Sequence, residues 1–416
     1  MAPRAARRSR NARPLDLVVF GATGFTGRLV AEVLAARSAA GAGFTWAMAG
    51  RAADKLAKVR RAIAAPEDTP LIAADANDPA ALAALVARTR VVITTVGPYQ
   101  RYGEALAAAC AEAGTDYVDL CGEPVWMARM IPRLEPAARA SGARIVFSCG
   151  FDSIPFDLGV VFLQAEAQRR FGQPLQRVHG LVRRMKGTAS GGTVASLLAT
   201  LDETGRDAAA ARTMADPFAL TPGFRGPPQP DGDGAAYDEL AGSWTGPFIM
   251  ATINTKNVHR SHFLRGHPWG TDFEYGERLM LGDGALGRAK AEGLAGATRL
   301  QNLLLGFGPS RRLIGRLALP QPGQGPDRRQ REAGFYDLLF IGRSADGRVL
   351  RATVHGDGDP GYGSTSRMIV EAALCLAQDL GREHTPGGVW TPGAAMGLAL
   401  VRRLEAHAGL VFAIEG

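Results

Sequence analysis

Short apolar runs alternate with helically spaced apolar positions over the first third of the chain. Runs at 17–20, 45–48, 71–73, 91–95, 117–120 and 145–148 read as buried strands. Between them Leu29, Val33 and Leu34, then Leu82, Leu85 and Val86, then Leu106 and Cys110 recur at the spacing of one helix face. Strand, helix and strand repeated in this way predict an α/β domain over residues 15–150, with a Rossmann-type doubly wound parallel sheet.

The pattern changes after residue 150. Helical stretches at 157–170 and 193–204 are followed by runs that read as antiparallel strands, which predicts a mixed α+β substrate domain over 151–365. Two stretches rich in Pro and Gly, 221–234 (TPGFRGPPQPDGDG) and 320–325, carry too little apolar area to offset ordering and read as mobile loops. Runs at 335–341 and 349–355 flank Asp346-Gly347, a hairpin signal. From Ser366 a helix is expected, with Ile369, Ala372, Ala373, Leu376 and Leu380 on one face and Gly381 as its stop. Pro392 opens another through Leu404. The expectation is that these C-terminal helices, 366–416, pack back on the first domain.

Composition narrows the class. Hydrophobic residues at 46% and charged residues at 21% of 416 are those of a globular protein, not of a disordered or fibrous one. Of the net charge of +8, five units come from Arg4, Arg7, Arg8, Arg10 and Arg13, which leaves +3 for the rest. Residues 1–14 therefore read as a disordered basic tail, and no nucleic-acid partner is expected. No apolar run precedes Leu15, so the start does not read as a secretory signal, and the cytoplasm is the expected compartment. Cys110, Cys121, Cys149 and Cys375 are scattered without a C-x-x-C pair, which speaks against a zinc site or a disulfide framework.

The most informative stretch is VVFGATGFTGRLV, residues 18–30. Gly21, Gly24 and Gly27 stand directly after an apolar strand and at the opening of a helix, the context in which a glycine loop cradles a pyrophosphate. The loop residues Thr23, Phe25 and Thr26 complete the cradle, and amides at the helix start meet the phosphate charge. An acid at the end of the second strand would suit NAD. Here Arg51 occupies that position with Lys55 one turn on, and two cations suit the extra phosphate of NADP(H). Asp75, after the third strand, reads either as an adenine contact or as a helix cap. Gly97 and Pro98, after the fourth, run beside the nicotinamide ribose on this reading, or serve as turn residues.

At this point the chain resembles the saccharopine dehydrogenase-like oxidoreductases, and within them the bacterial trans-acting enoyl reductases. The resemblance rests on GATGFTG (21–27), AGR (49–51), TTVGPY (94–99), YVDLCGE (117–123), GFDSIPFDLG (150–159), SGGTVAS (190–196) and DPGYGSTSRMIVEAALCLA (359–377). It implies an NADP-linked Rossmann domain, a mixed α/β substrate domain, and reduction of a double bond in a polyketide-type lipid held by a synthase. True saccharopine dehydrogenases oxidise a secondary amine whose several carboxylates demand arginines. GFDSIP and SGGT offer none, which favours an apolar or thioester substrate, free or carrier-bound. An amine dehydrogenase and a non-catalytic dinucleotide-binding, lipid-associated protein are the alternatives.

Enoyl reduction needs one proton donor and an oxyanion stabiliser. None of the seven tyrosines has a lysine four residues later, so the Tyr-x-x-x-Lys mechanism is excluded. Asp152, with Ser153 as hydrogen-bonding partner, follows the last strand and reads as a donor, or as the cap of the helix near Pro155. Tyr99 and Tyr117 are further donor candidates. Ser190-Gly191-Gly192-Thr193 reads either as carbonyl-binding amides or as an N-cap. His259, His262 and His267 cluster without the carboxylate of H-E-x-x-H, so no metal is expected. Leu303-Leu304-Leu305-Gly306-Phe307, with Arg311, Arg312 and Arg316 behind, reads as a buried helix with a basic exit, with peripheral membrane or acyl-carrier contact as the alternative. Homodimerisation stays open.

Overall fold

The computed structural model describes residues 13–187, 191–306 and 325–416. They divide into two units. The first runs to Cys121 and adds Arg129–Gly150 and Ser366–Trp390; the second holds Gly122–Ala128, Phe151–Thr365 and Thr391–Gly416.

The first unit is built on seven strands: β1 (Leu15–Phe20), β2 (Trp46–Gly50), β3 (Leu71–Ala73), β4 (Thr89–Thr94), β5 (Asp116–Val118), β6 (Arg144–Val146) and β13 (Gly388–Trp390). Their order is β13-β6-β5-β4-β1-β2-β3, every pair parallel. Burial on both faces explains the unbroken apolar runs: Leu17, Val18, Val19, Val91, Val92 and Ile93 are all fully inaccessible. Because β1 lies between β4 and β2, the order reverses there, and the carboxyl ends of β1 and β4 open the crevice where such sheets bind ligands. Below them a buried ion pair ties the sheet together. The Arg144 guanidinium donates to Asp116 Oδ2 at 2.6 Å and to the Leu380 carbonyl at 2.9 Å, and Arg382 reaches Asp116 Oδ1 at 2.6 Å.

The second unit carries β7 (Leu175–Lys186), β8 (Ala236–Asp238), β9 (Ser243–Pro247), β10 (Glu274–Gly282), β11 (Phe335–Ser344), β12 (Val349–Asp357) and β14 (Leu410–Glu415), in the order β14-β12-β11-β7-β10-β9-β8. Among the described residues of this sheet only β7 and β10 pair in parallel. The Asp346-Gly347 signal is met by the β11–β12 hairpin, with Gly347 at φ +87°. Helices Ile154–Phe171 and Ala251–Leu264 belong to this unit.

Four expectations are corrected. The C-terminal segment divides: Ser366–Trp390 falls in the first unit, where β13 joins the parallel sheet, whereas residues from Thr391 fall in the second, and Leu410–Glu415 is a strand on β12, not helix. Arg13 is not a tail residue, since its guanidinium donates to the carbonyls of Thr89 and Ala113 at 2.7 and 2.6 Å; the tail up to residue 12 lies outside the described residues. The 221–234 stretch is anchored rather than loose. The Gln229 side chain accepts from the Tyr275 amide at 2.9 Å and donates to the Phe273 carbonyl at 3.3 Å, which compensates for the missing apolar area. Residues 320–324 of the other Pro/Gly stretch lie outside the described residues. Finally, Leu303 and Leu304 are exposed, at 72% and 41%, and only Leu305 is buried; Phe307 and the three arginines behind lie outside the described residues.

Candidate functional site

The glycine loop joins β1 to the helix Phe25–Ala39, and its geometry explains each glycine. Gly21 sits at φ +91°, where a side chain is strained, and a Cβ there would lie 2.6 Å from Val96 Cγ2. At Gly27 a Cβ would stand 2.1 Å from the Gly21 carbonyl oxygen, so only glycine lets the helix approach the strand this closely. Gly24 differs. Its φ is −74°, a Cβ would meet only the Gly21 oxygen at 3.3 Å, and the residue is exposed at the mouth of the loop. No side chain caps the helix at Gly24. The helix thus presents its positive end at a cradle that a Cβ would fill, an arrangement that fits a dinucleotide pyrophosphate. Thr23 is exposed beside the loop, near Gly50 at the end of β2, while Phe25 and Thr26 are half-buried.

Arg51 follows β2 directly, and it and Lys55 are both exposed. Asp75 does not cap a helix: its Oδ1 accepts from the Asn77 amide at 2.9 Å, and Asp78 caps the helix Pro79–Val86 instead. Gly97 is exposed and Pro98 half-buried at the end of β4. The two tyrosines are committed elsewhere. Buried Tyr99 donates to the Thr94 carbonyl at 3.2 Å and accepts from the Leu120 amide at 3.0 Å, stitching β4 to the strand beside it. Tyr117 donates to Asp119 at 3.0 Å, and burial together with that carboxylate pushes its hydroxyl well above its ordinary value. Neither has a proton to spare.

The chain leaves β6 through Ser148 at φ +63°, an uncommon conformation for a residue with a side chain. Asp119 holds it there, accepting from the Ser148 amide at 2.9 Å, while Ser148 Oγ donates to the Cys121 carbonyl at 2.6 Å. Past Gly150, the Phe151 amide donates to Thr365 Oγ1 at 2.9 Å, and Ser153 is gripped by Asn254 and Asn257. Asp152 therefore stands between two anchored neighbours. Its half-buried carboxyl has no hydrogen-bond partner among the described residues, and burial pushes it up to about 6. It caps nothing, because the following helix begins at Ser153 without a side-chain cap.

Beneath Ser153 runs a line of buried polar groups that periodicity did not single out. Asn257 donates to Ser153 Oγ at 2.8 Å, Ser153 to Asn254 Oδ1 at 3.3 Å, Asn254 to Glu277 Oε2 at 2.8 Å, and Tyr275 to Glu277 Oε1 at 2.8 Å. Burial raises Glu277 to about 8. A second pair joins two quoted motifs: Ser196 of SGGTVAS donates to buried Glu123 of YVDLCGE at 2.6 Å. The helix Gly191–Thr204 starts inside SGGT, with Ser190 outside the described residues. His259 and His262 are packed in aromatic contacts with Phe218, Trp269 and Phe273, and burial lowers them to about 3 and 4. Among the described residues no group of three His, Cys, Asp or Glu could hold a metal.

Comparison with known proteins bears on this arrangement. The saccharopine dehydrogenase NADP binding domain family matches residues 17–146, the stretch that contains the glycine loop and Arg51. The trans-acting enoyl reductase of Mycobacterium bovis (strain BCG / Pasteur 1173P2) is 40% identical over 414 residues, 96% of this chain and 97% of the relative. The chain belongs to the trans-acting enoyl reductase family. A Mycobacterium tuberculosis (strain ATCC 25618 / H37Rv) protein provisionally given the same name is 42% identical, covering 95% of this chain and 96% of that relative. In fold, this family member resembles apo saccharopine dehydrogenase (L-Glu forming) from Saccharomyces cerevisiae, at a TM-score of 0.55 and 12% identity over 97% of this chain and all of that one. It is an oxidoreductase with an NADP-binding-type domain. No helix among the described residues is long and apolar enough to cross a membrane.

Proposed function

We propose that the protein is a cytoplasmic NADPH-dependent enoyl reductase of acyl or polyketide intermediates, with Asp152 as proton donor. The observation that carries the chemistry is Asp152 itself: a half-buried carboxyl, without a hydrogen-bond partner among the described residues, between two anchored residues and raised to about 6 by burial. Such a group keeps part of its proton near neutrality. When bound, NADPH supplies the hydride that reduces one alkene carbon.

Everything else falls to the chain. Amides around Gly21, Thr23, Gly24, Phe25, Thr26 and Gly27 meet the pyrophosphate, and Arg51 with Lys55 meets the 2′-phosphate, since no acid stands there for a free ribose hydroxyl. Asp75 lies toward the adenine end and Gly97 with Pro98 toward the nicotinamide ribose on this reading. Asp152 gives its proton to the carbon beside the one reduced, so that the enoyl group becomes a saturated acyl group with one hydride and one proton added. The names of the relatives and the lack of arginine in GFDSIP support a thioester rather than a polycarboxylate amine. Four buried free cysteines accord with a reducing compartment.

The test is Asp152→Asn, assayed by NADPH consumption with enoyl-thioesters. Turnover should fall by roughly 100-fold or more, the usual contribution of general acid catalysis, with NADPH affinity unchanged. A wild-type rate refutes the assignment.

A further inference from the structure

We propose that Glu277 is a positioning residue for Asp152, acting at a distance through Asn254 and Ser153. The inference rests on the reading of Asp152 as donor, and it assigns a task to a buried acid that the chemistry leaves unused.

Hydrogen-bond direction decides the role of Glu277. Tyr275, Glu277, Asn254, Ser153 and Asn257 are each 2% exposed or less, so water cannot exchange partners with them. Glu277 Oε2 lies 2.8 Å from Asn254 Nδ2 and can only accept from it. That holds whether Glu277 is ionised or neutral, because a proton on Oε1 would face Tyr275 and leave Oε2 an acceptor. The Asn254 amide is thereby oriented with its carbonyl toward Ser153. Ser153 must then donate to Asn254 and accept from Asn257. One acceptor on β10 thus dictates the direction of every bond up to the residue next to Asp152. Asn254 also interrupts the line as a path for protons, since an amide in this orientation has no lone pair on nitrogen to receive one. The line holds a position and does not shuttle a proton.

The Phe151–Ser153 turn is consequently fixed from both sides, by Thr365 at its first residue and by this line at its last. Loss of the Glu277 acceptor leaves the Asn254 amide free to flip and takes away the carbonyl that receives the Ser153 proton.

Three variants separate this role from mere burial of a polar group. Glu277→Leu removes the acceptor. Glu277→Gln retains one, with its amide nitrogen able to donate to Tyr275. Tyr275→Phe removes an equivalent buried hydrogen bond without touching the line to Ser153. On the protein without nucleotide, hydrogen exchange of a peptide covering 150–154 should accelerate at least about 10-fold in Glu277→Leu and stay near wild type in the other two. With NADPH and an enoyl-thioester, Glu277→Leu should lose about 10- to 100-fold in kcat with little change in KM, the scale on which small misplacements act. In an Asp152→Asn background it should cost nothing further. Asn254→Ala, which removes the same carbonyl from the other side, should reproduce the effect and serves if Glu277→Leu does not fold. Unchanged exchange in both, or an equal effect of Tyr275→Phe, overturns the proposal whatever Asp152→Asn does. Wild-type turnover of Asp152→Asn overturns the donor reading instead, and with it the catalytic part of this one; the exchange result still reports whether Glu277 fixes the turn.

Discussion

Gly27→Ala and Gly24→Ala should separate the two tasks of the glycine loop. At position 27 the new methyl would stand 2.1 Å from the Gly21 carbonyl oxygen and 2.7 Å from its carbon, against the roughly 3.3 Å at which carbon meets oxygen. More than about 1 Å must be made up by backbone on both sides, because the obstruction is not a flexible side chain. Overpacking of this kind costs about 1–3 kcal/mol, or about 2–12 °C in melting temperature for a unit of this size. At position 24 the φ of −74° suits alanine, but the contact with the Gly21 oxygen at 3.3 Å is close and alanine is a poorer N-cap than glycine, so stability should fall by about 1 kcal/mol or less. Its methyl would, however, project at the exposed mouth of the cradle, and NADPH affinity should fall at least about 10-fold, or about 1.4 kcal/mol. Melting without nucleotide and fluorescence titration with NADPH measure the two effects independently. A Gly27→Ala protein that melts with the parent, or a Gly24→Ala protein that binds NADPH as tightly as the parent, refutes the reasoning.

Other consequences follow from the same geometry. Arg51→Ala should weaken NADPH binding about 10-fold or more and leave NADH binding unchanged, measured by parallel titration; equal losses would mean that Arg51 does not read the phosphate. Asp116→Ala should cost about 3–5 kcal/mol in urea unfolding, because it strands the buried Arg144 guanidinium. Removal of the exposed Arg288–Glu292 pair should cost less than about 0.5 kcal/mol. Glu277 is raised from 4.5 to about 8, so between pH 6.5 and 8 the native state holds a proton that the unfolded state has lost. Stability should therefore fall with rising pH in that window, by up to roughly 1.4 kcal/mol per unit, and Glu277→Gln should flatten the slope. Asp152 and Asp157, both raised to about 6, and the lowered His259 and His262 act mainly below this window, and Lys256, lowered to about 8, acts above it.

The parallel sheet was legible because its strands are buried on both faces and bounded by glycine turns; Leu17 to Phe20 before Gly21 announces strand and loop together. The second unit was harder to read. Its helix Ala251–Leu264 buries Asn254, Lys256, Asn257, His259, Arg260, Ser261 and His262, residues that a periodicity argument assigns to solvent. Most are buried because they find a polar partner in three dimensions, as Lys256 donates to the Met214 carbonyl at 2.8 Å and Asn254 to Glu277, while His259 is packed among the Phe218 and Phe273 rings. Such pairing between residues far apart in sequence leaves no local signal. The C-terminal strand was missed for a related reason, since Leu410–Glu415 is short and only β12 gives it a sheet to join. Of the candidate site, the strand-loop-helix setting of the glycines and the place of Asp152 after β6 could be read from sequence, whereas the hydrogen bonds that occupy Tyr99 and Tyr117 could not.

The most direct test of the account is transfer of label from NADPH deuterated at its reactive hydrogen to an enoyl-thioester, followed by mass spectrometry of the product. The account predicts a saturated thioester one deuterium heavier, formed with stoichiometric loss of NADPH. An unlabelled, unreduced thioester beside reduction of NADP by saccharopine would contradict it.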